Sequence, residues 1–233
     1  MFSAELPVQS NNSIAIRSLD VGIVVLLAPA WIPLMIITGA AVLISSGRPI
    51  LFTQKRIGSG GSPFRMYKFR SMLTGRNALV PDPTRITAVG RLLRRTSLDE
   101  LPQLVNVLRG DMSLVGPRPM LPEQFASLST SERERASIRP GLTGLAQVNG
   151  RNSLLWNDRL AFDLRWARQP TISLYFATLC KTARVVIGGQ GVDGHDPTDP
   201  VVDLRPTLTD AVDLASNTDI DLASSPTQER RAA

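Results

Sequence analysis

The chain has 233 residues, a formal net charge of +6, one cysteine and one histidine. That length holds one globular domain with appendages and allows a sizeable core. With Cys180 and His195 alone, disulfide frameworks, thiolate metal clusters, Ser/His/Asp triads and Cys/His pairs are excluded, so any chemistry has to run on carboxylates and cations in a reduced, cytosol-facing body.

The charge is uneven. Residues 191–233 carry nine acids against Arg205, Arg230 and Arg231, which leaves about +12 on residues 1–190, a field suited to phosphates or anionic lipid. Lysine occurs only at 55, 68 and 181; the arginine excess fits bidentate phosphate binding or a codon bias equally well.

Residues 21–44 form an uncharged apolar run, long enough to cross the roughly 30 Å hydrocarbon layer as a helix. Pro29 and Pro33 interrupt it, and basic residues stand on both sides: Arg17 before it, Arg48, Lys55 and Arg56 after it. Positive charge normally marks the cytoplasmic end alone. A helix that bends at Ala28 and Pro29 and leaves by the face it entered satisfies both ends; a kinked spanning helix is the open alternative.

The stretch ILFTQKRIGSGGSPFRMYKFRSM reads as a β-hairpin around a Gly/Ser/Pro turn at residues 58–63, decorated by Lys55, Arg56, Lys68 and Arg70. PDPTRIT reads as a loop. AVGRLLRRTSLDELPQLVNVLRGDMS carries a helical pattern, with Leu92, Leu101, Leu104, Val105 and Leu108 as its buried stripe and Gly110 as its C-cap. An extended LVGPRPM, a polar helix over LPEQFASLSTSERERASI and a Gly-rich loop over RPGLTGLAQVNGR follow. Residues 154–187 mix polar positions with Trp156, Trp166, Tyr175 and Phe176, as membrane-surface helices and core helices both do. Beyond Gly189 the composition predicts disorder. The fold class expected is α+β, mainly helical with a small hairpin or sheet, a re-entrant N-terminal membrane helix and interfacial amphipathic helices. The expected division is a tail over 1–13, the membrane helix over 14–47, a catalytic domain over 48–190 and the acidic tail over 191–233.

Asp99 and Glu100 stand side by side with Arg85, Arg91, Arg94 and Arg95 before them. In isolation they read as a helix start, Ser97 and Glu100 forming a capping box. Neighbouring acids cannot easily straddle a glycosidic bond. They can share one phosphoryl centre, one attacking phosphorus or holding a divalent ion while the other handles the ion or a proton, provided cations offset the charge. Lys55, Arg56, Arg94, Arg118 and Arg139 are placed for that. The rival is a membrane-tethered protein without catalysis that binds anionic lipid or nucleic acid. A nucleic-acid groove usually interleaves more aromatics than Phe64, Tyr67 and Phe69, so no nucleic-acid partner is expected.

The series QKRIG, FRMYKFRSM, GRLLRRTSLDELPQLVNVLRGDMSLVGPRP and RPGLTGLAQVNGR, after one apolar segment, resembles the bacterial sugar transferase family: monotopic phosphoglycosyl transferases, here in a minimal form. The resemblance covers residues 14–187. It implies a membrane helix broken at Ala28 and Pro29, on the cytoplasmic face of the bacterial inner membrane and in contact with its lipid. It implies Asp99 as nucleophile toward the β-phosphate of a UDP-sugar, releasing UMP, with undecaprenyl phosphate as acceptor and Mg²⁺ as cofactor held by Asp99 and Glu100. Lys55, Arg94 and Arg118, with Arg56, would hold phosphates, and Arg139, Gln147, Asn149 and Arg151 would contact the donor. The glycan product would belong to exopolysaccharide or glycoconjugate assembly, and the oligomeric state, a homodimer included, stays open. One departure stands out. Where many members carry an Asp, a Tyr, a Ser and a final Asp, this chain has Asp163, Trp166, Thr171 and Tyr175. A pseudoenzyme that keeps the fold is therefore a further alternative.

Overall fold

The apolar run folds as two helices, α1 (Ser10–Leu26) and α2 (Ala28–Ser46). The computed structural model describes residues 10–73, 86–150 and 154–188. The 1–9 part of the N-terminal tail, residues 81–85 of the expected loop, Arg151 and the acidic tail lie outside the described residues. The break falls at Leu27 (φ −88°, ψ 2°), one position before Ala28, because Pro29 has no N–H to continue the ladder across it. The indole of Trp31 donates to the Val24 carbonyl at 2.8 Å and bridges the interruption.

α2 is long and apolar enough to cross a membrane. Its Ile36, Ile37 and Ile44 are exposed, whereas Thr38 and Val42, one turn apart, are buried with Phe69 and Leu93 behind them. On α1, Asp20 and Val24 are buried at the same spacing. α1 lies against Gln103–Arg109, Ser113–Val115 and Ile172–Gly188, and α2 against Ala88–Thr96 and Pro63–Phe69, so both ends of the apolar run pack on one body. Two arginines fasten it. Arg17 donates to the Val107 and Leu108 carbonyls at 2.5 and 2.8 Å, and Arg70 donates to Ser46, to Gly47 at 2.8 Å and to Arg48 at 3.0 Å. Each guanidinium thereby satisfies carbonyls that a helix C-terminus leaves open.

The hairpin forms as expected, β1 (Leu51–Ile57) antiparallel to β2 (Pro63–Phe69), with Leu51 opposite Phe69 and Ile57 opposite Pro63. Gly60 and Gly61 supply positive φ (67° and 77°) to the turn, which explains the Gly-rich spelling. Residues directly opposite share a face. Gln54, Arg56, Phe64, Met66 and Lys68 therefore lie on one side and Lys55 with Arg65 on the other.

The long helical pattern is corrected. α3 (Ala88–Thr96), started by Thr87 accepting from the Gly90 N–H at 2.9 Å, ends at Ser97, whose φ of 58° is left-handed. A single 3-10 turn (Leu98–Glu100) and Pro102 then lead into α4 (Gln103–Arg109). The change of direction resets the apolar phase: Leu93 and Val107 are buried, while Leu92 and Leu108 of the expected stripe are exposed. Gly110 (φ 89°) closes α4 as expected. Ser97 makes no side-chain cap, so the Ser97/Glu100 capping box does not form.

β3 (Ser113–Val115) pairs in parallel with β4 (Gly141–Thr143), so the Gly-rich stretch read as a loop holds a strand and the helical turn α7 (Leu145–Val148). Glycine is required there, because a Cβ on Gly141 would stand 2.0 Å from the Gly116 nitrogen. The single polar helix expected over 121–138 is instead α5 (Pro122–Ala126) and α6 (Thr130–Arg133). Ser129 restarts the chain with a capping box to Glu132. α8 (Trp156–Arg168) and α9 (Ile172–Gly188) complete the described body, which is mixed helix and sheet and mainly helical. Trp166 and Tyr175 are core residues, and Phe176 is exposed.

Candidate active site

The 3-10 turn after left-handed Ser97 carries Asp99 and Glu100 into different surroundings. Glu100 accepts from Lys68 Nζ at 2.7 Å and from an Arg118 guanidinium nitrogen at 3.3 Å. Asp99 is buried, and its carboxylate takes no hydrogen bond among the described residues. Burial pushes the Asp99 carboxyl up to about 6, Lys68 pulls it down against that, and the Glu100 charge adds to the rise. Burial raises Glu100 too, but Lys68 and Arg118 overcome it and hold the carboxyl down at about 2. Adjacent acids in environments this different can take different roles. Glu100 is a fixed anion, and Asp99 is the acid with free lone pairs.

Three elements converge on this pair. Lys68 comes from β2, Arg118 from the loop after β3, and Arg94 from the last turn of α3, where its Nε donates to Ser71 Oγ at 2.8 Å. Lys68 and Arg94 both lower Asp99 through their charge. Arg56 is half-buried, donating to the Pro119 carbonyl at 3.2 Å and to Gln54 Oε1 at 2.7 Å. Burial and the neighbouring Arg118 charge lower it to about 10.

The loop carrying Arg118 is held from behind. Buried Arg135 pairs with buried Asp163 of α8 and donates to the Arg118 carbonyl at 2.9 Å. Nothing local in the sequence marks Arg135, since its partner lies on another element. Lys68 was noted only as hairpin decoration; strand parity with core Met66 is the signal that singles it out.

Other expected residues stand elsewhere. Lys55 is exposed on the opposite face of the hairpin, across from Arg65. Arg139 donates from Nε to the Gly110 carbonyl at 3.0 Å, tying the entry of β4 to the end of α4. Gln147 buries both atoms of its amide without a partner, beside Gly144. Asn149 donates to the Leu145 carbonyl and accepts from Lys181 at 3.3 Å. Arg151 lies outside the described residues.

Among the described residues no group of three or more His, Cys, Asp or Glu side chains could hold a metal. Lys68 and Arg118 both bond Glu100 at Oε1, so Oε2 and the Asp99 carboxylate are the oxygens that would hold magnesium, which commonly takes one or two carboxylates and completes its shell with water and substrate phosphates.

The model of the family described as bacterial sugar transferase matches residues 11–189. The chain belongs to the bacterial sugar transferase family. Within that family it is 41% identical over 162 residues to the "Uncharacterized sugar transferase EpsL" of Bacillus subtilis, covering 68% of this chain and 80% of that one. It is 34% identical over 200 residues to the "Exopolysaccharide production protein ExoY" of Sinorhizobium fredii, covering 77% and 88%. It is 37% identical over 195 residues to the "UDP-glucose:undecaprenyl-phosphate glucose-1-phosphate transferase" of Escherichia coli, covering 76% of this chain and 42% of that enzyme. The bacterial sugar transferase match thus spans most of two relatives and less than half of the third.

Proposed function

We propose that this protein is a phosphoglycosyl transferase that moves a sugar phosphate from a UDP-sugar to undecaprenyl phosphate at the cytoplasmic face of the inner membrane. The observation that carries the reading is the Asp99 carboxylate, buried, without a hydrogen bond among the described residues and next to a Glu100 already neutralised by Lys68 and Arg118. An Asp99 oxygen attacks the β-phosphorus, the bond from that phosphorus to the bridging oxygen breaks, and UMP leaves with the electron pair. An oxygen of undecaprenyl phosphate then attacks the same phosphorus, and the Asp99 carboxylate departs. Arg94 and Arg118 stand where charge spreads over phosphoryl oxygens during both displacements. Glu100 holds those cations in place. Magnesium, held by Asp99 and Glu100, would supply further neutralisation of the diphosphate.

The membrane part of the reading rests on packing. Asp20 and Val24 before the break and Thr38 and Val42 after it are all buried against one body, while Ile36 and Ile37 are exposed. A straight crossing would carry the two ends to opposite sides, so this packing favours the re-entrant helix. A lipid phosphate cannot leave the bilayer without exposing its chain at about 0.8 kcal/mol per CH₂, so the catalyst has to come to it. The relatives' names that mention undecaprenyl phosphate point to the same acceptor. The test is purified protein with UDP-sugars, Mg²⁺ and undecaprenyl phosphate, read by UMP release. UMP and a lipid-linked product support the reading. Absence of UMP with every UDP-sugar offered overturns it.

A further inference from the structure

Gln103 opens α4 four positions after Asp99, is 3% exposed, and its Nε2 is buried without a hydrogen-bond partner. It lines a hollow of about 210 Å³, open mouth included, with Arg56, Lys68, Arg118, Met66 and Gly141. A second orphaned donor borders the same hollow: Arg56 Nε is buried and unpartnered, although the other two guanidinium nitrogens are engaged by Pro119 and Gln54. Buried donors without acceptors are costly and few in native proteins, and each asks what fills the gap. Here the unmet groups are both N–H donors, and the walls add the Lys68 ammonium and the Arg118 guanidinium. A ligand that satisfies such a set is an acceptor with negative charge, small enough at its tip to enter a narrow hollow.

We propose that Gln103 and Arg56 form a pocket for a phosphoryl oxygen, in which Gln103 Nε2 donates to a phosphate of the substrate. The proposal deepens the reading above and rests on it for the identity of the phosphate, which belongs either to the nucleotide donor or to the lipid acceptor. Gln103 is the cleaner handle. Arg56 also carries the Pro119 carbonyl, so its removal would disturb the loop, whereas methionine at position 103 keeps the length and removes the amide.

The experiment compares wild-type full chain with Gln103→Met, both in detergent, in two assays. Thermal shifts are measured with UDP and, separately, with farnesyl phosphate; kcat/KM is measured by UMP release. The expected result is an unchanged or raised melting temperature for the ligand-free variant, loss of most of the shift given by one probe, and kcat/KM lower by about 100-fold. Loss of the UDP shift assigns the pocket to the donor, and loss of the farnesyl phosphate shift assigns it to the acceptor. Wild-type shifts from both probes in Gln103→Met overturn the pocket, as does a wild type that neither probe stabilises. So does a variant whose activity falls only in step with its melting temperature. If no UDP-sugar yields UMP but Gln103→Met still loses the UDP shift, the transferase reading fails and the pocket stands.

Discussion

The Tyr175 hydroxyl donates to Asp20 at 2.8 Å, joining α9 to α1, the helix that leads into the apolar α2. The same Asp20 oxygen accepts from Ser113 Oγ at 3.1 Å and from the Leu114 N–H at 2.9 Å. Position 175, where the resemblance leads an acid to be expected, thus supplies a donor to an acid that comes from α1 instead, an exchange of polarity.

Tyr175→Phe removes one of three donors to a buried carboxylate and is expected to cost about 1–3 kcal/mol. Equilibrium unfolding in detergent measures it. Tyr175→Asp places two acids together and should cost more than Tyr175→Phe, although it restores the residue type common in the family. Equal or greater stability of Tyr175→Asp would overturn the exchanged-polarity account.

Asp99→Asn is expected to abolish UMP release while leaving the chain folded, and to stabilise it. The Asp99 carboxyl sits at about 6 in the folded protein against 3.8 as its ordinary value, so ionising it there opposes folding. The penalty is absent below pH 4 and complete above pH 6, where it corresponds to about 3 kcal/mol. Glu100 works the other way. Its folded value near 2 lies below the ordinary 4.5, so its contribution is full above pH 4.5 and lost as pH falls toward 2. In metal-free buffer, stability of Asp99→Asn relative to wild type should therefore grow between pH 4 and pH 6 and then level off. A difference independent of pH would contradict this assignment.

The two hairpin lysines should behave unlike each other. Lys68→Met leaves Glu100 with Arg118 alone and is expected to lower turnover by about 100-fold. Lys55→Met, on the exposed face, should change stability by less than about 0.5 kcal/mol. Its turnover should stay near wild type. Steady-state UMP assays on both variants check the pair.

Arg135→Met strips the partner from buried Asp163 and releases the Arg118 carbonyl. Breaking a buried pair from one side typically costs about 3–5 kcal/mol. Asp163→Asn with Arg135 intact should cost less than Arg135→Met, because the Arg118 carbonyl keeps its donor. Chemical denaturation of the two variants decides.

Local features were legible in the chain. The hairpin turn is written in its glycines, Gly110 closes α4, and Pro29 stands two positions after the observed break. The sequence reading groups the acid pair with Arg118 because phosphoryl chemistry needs both charges close together, and the fold brings Arg118 to 3.3 Å from Glu100. What escaped depends on geometry between distant segments. An unbroken helix would bury Leu92 rather than Leu93; left-handed Ser97 shifts the phase, and nothing local announces a serine in that conformation. β4 escaped because its reason to exist is the contact of Gly141 with Gly116 across the pair. Motif position says nothing of strand face, so it does not separate Lys55 from Lys68, which the hairpin puts on opposite sides. Gln103 escaped because a glutamine near a proline carries no signal until its surroundings prove to be donors.

Arg17 and Arg70 fasten the two ends of the apolar run to the same body. In the proposed re-entrant insertion, immersion depth is set by the body's own rim, much as a fixed keel sets draught, and the thickness of the host bilayer has little hold on it. Such an enzyme should turn over at similar rates in vesicles of short and long acyl chains, where a true crossing helix would have to tilt or stretch its surroundings to match.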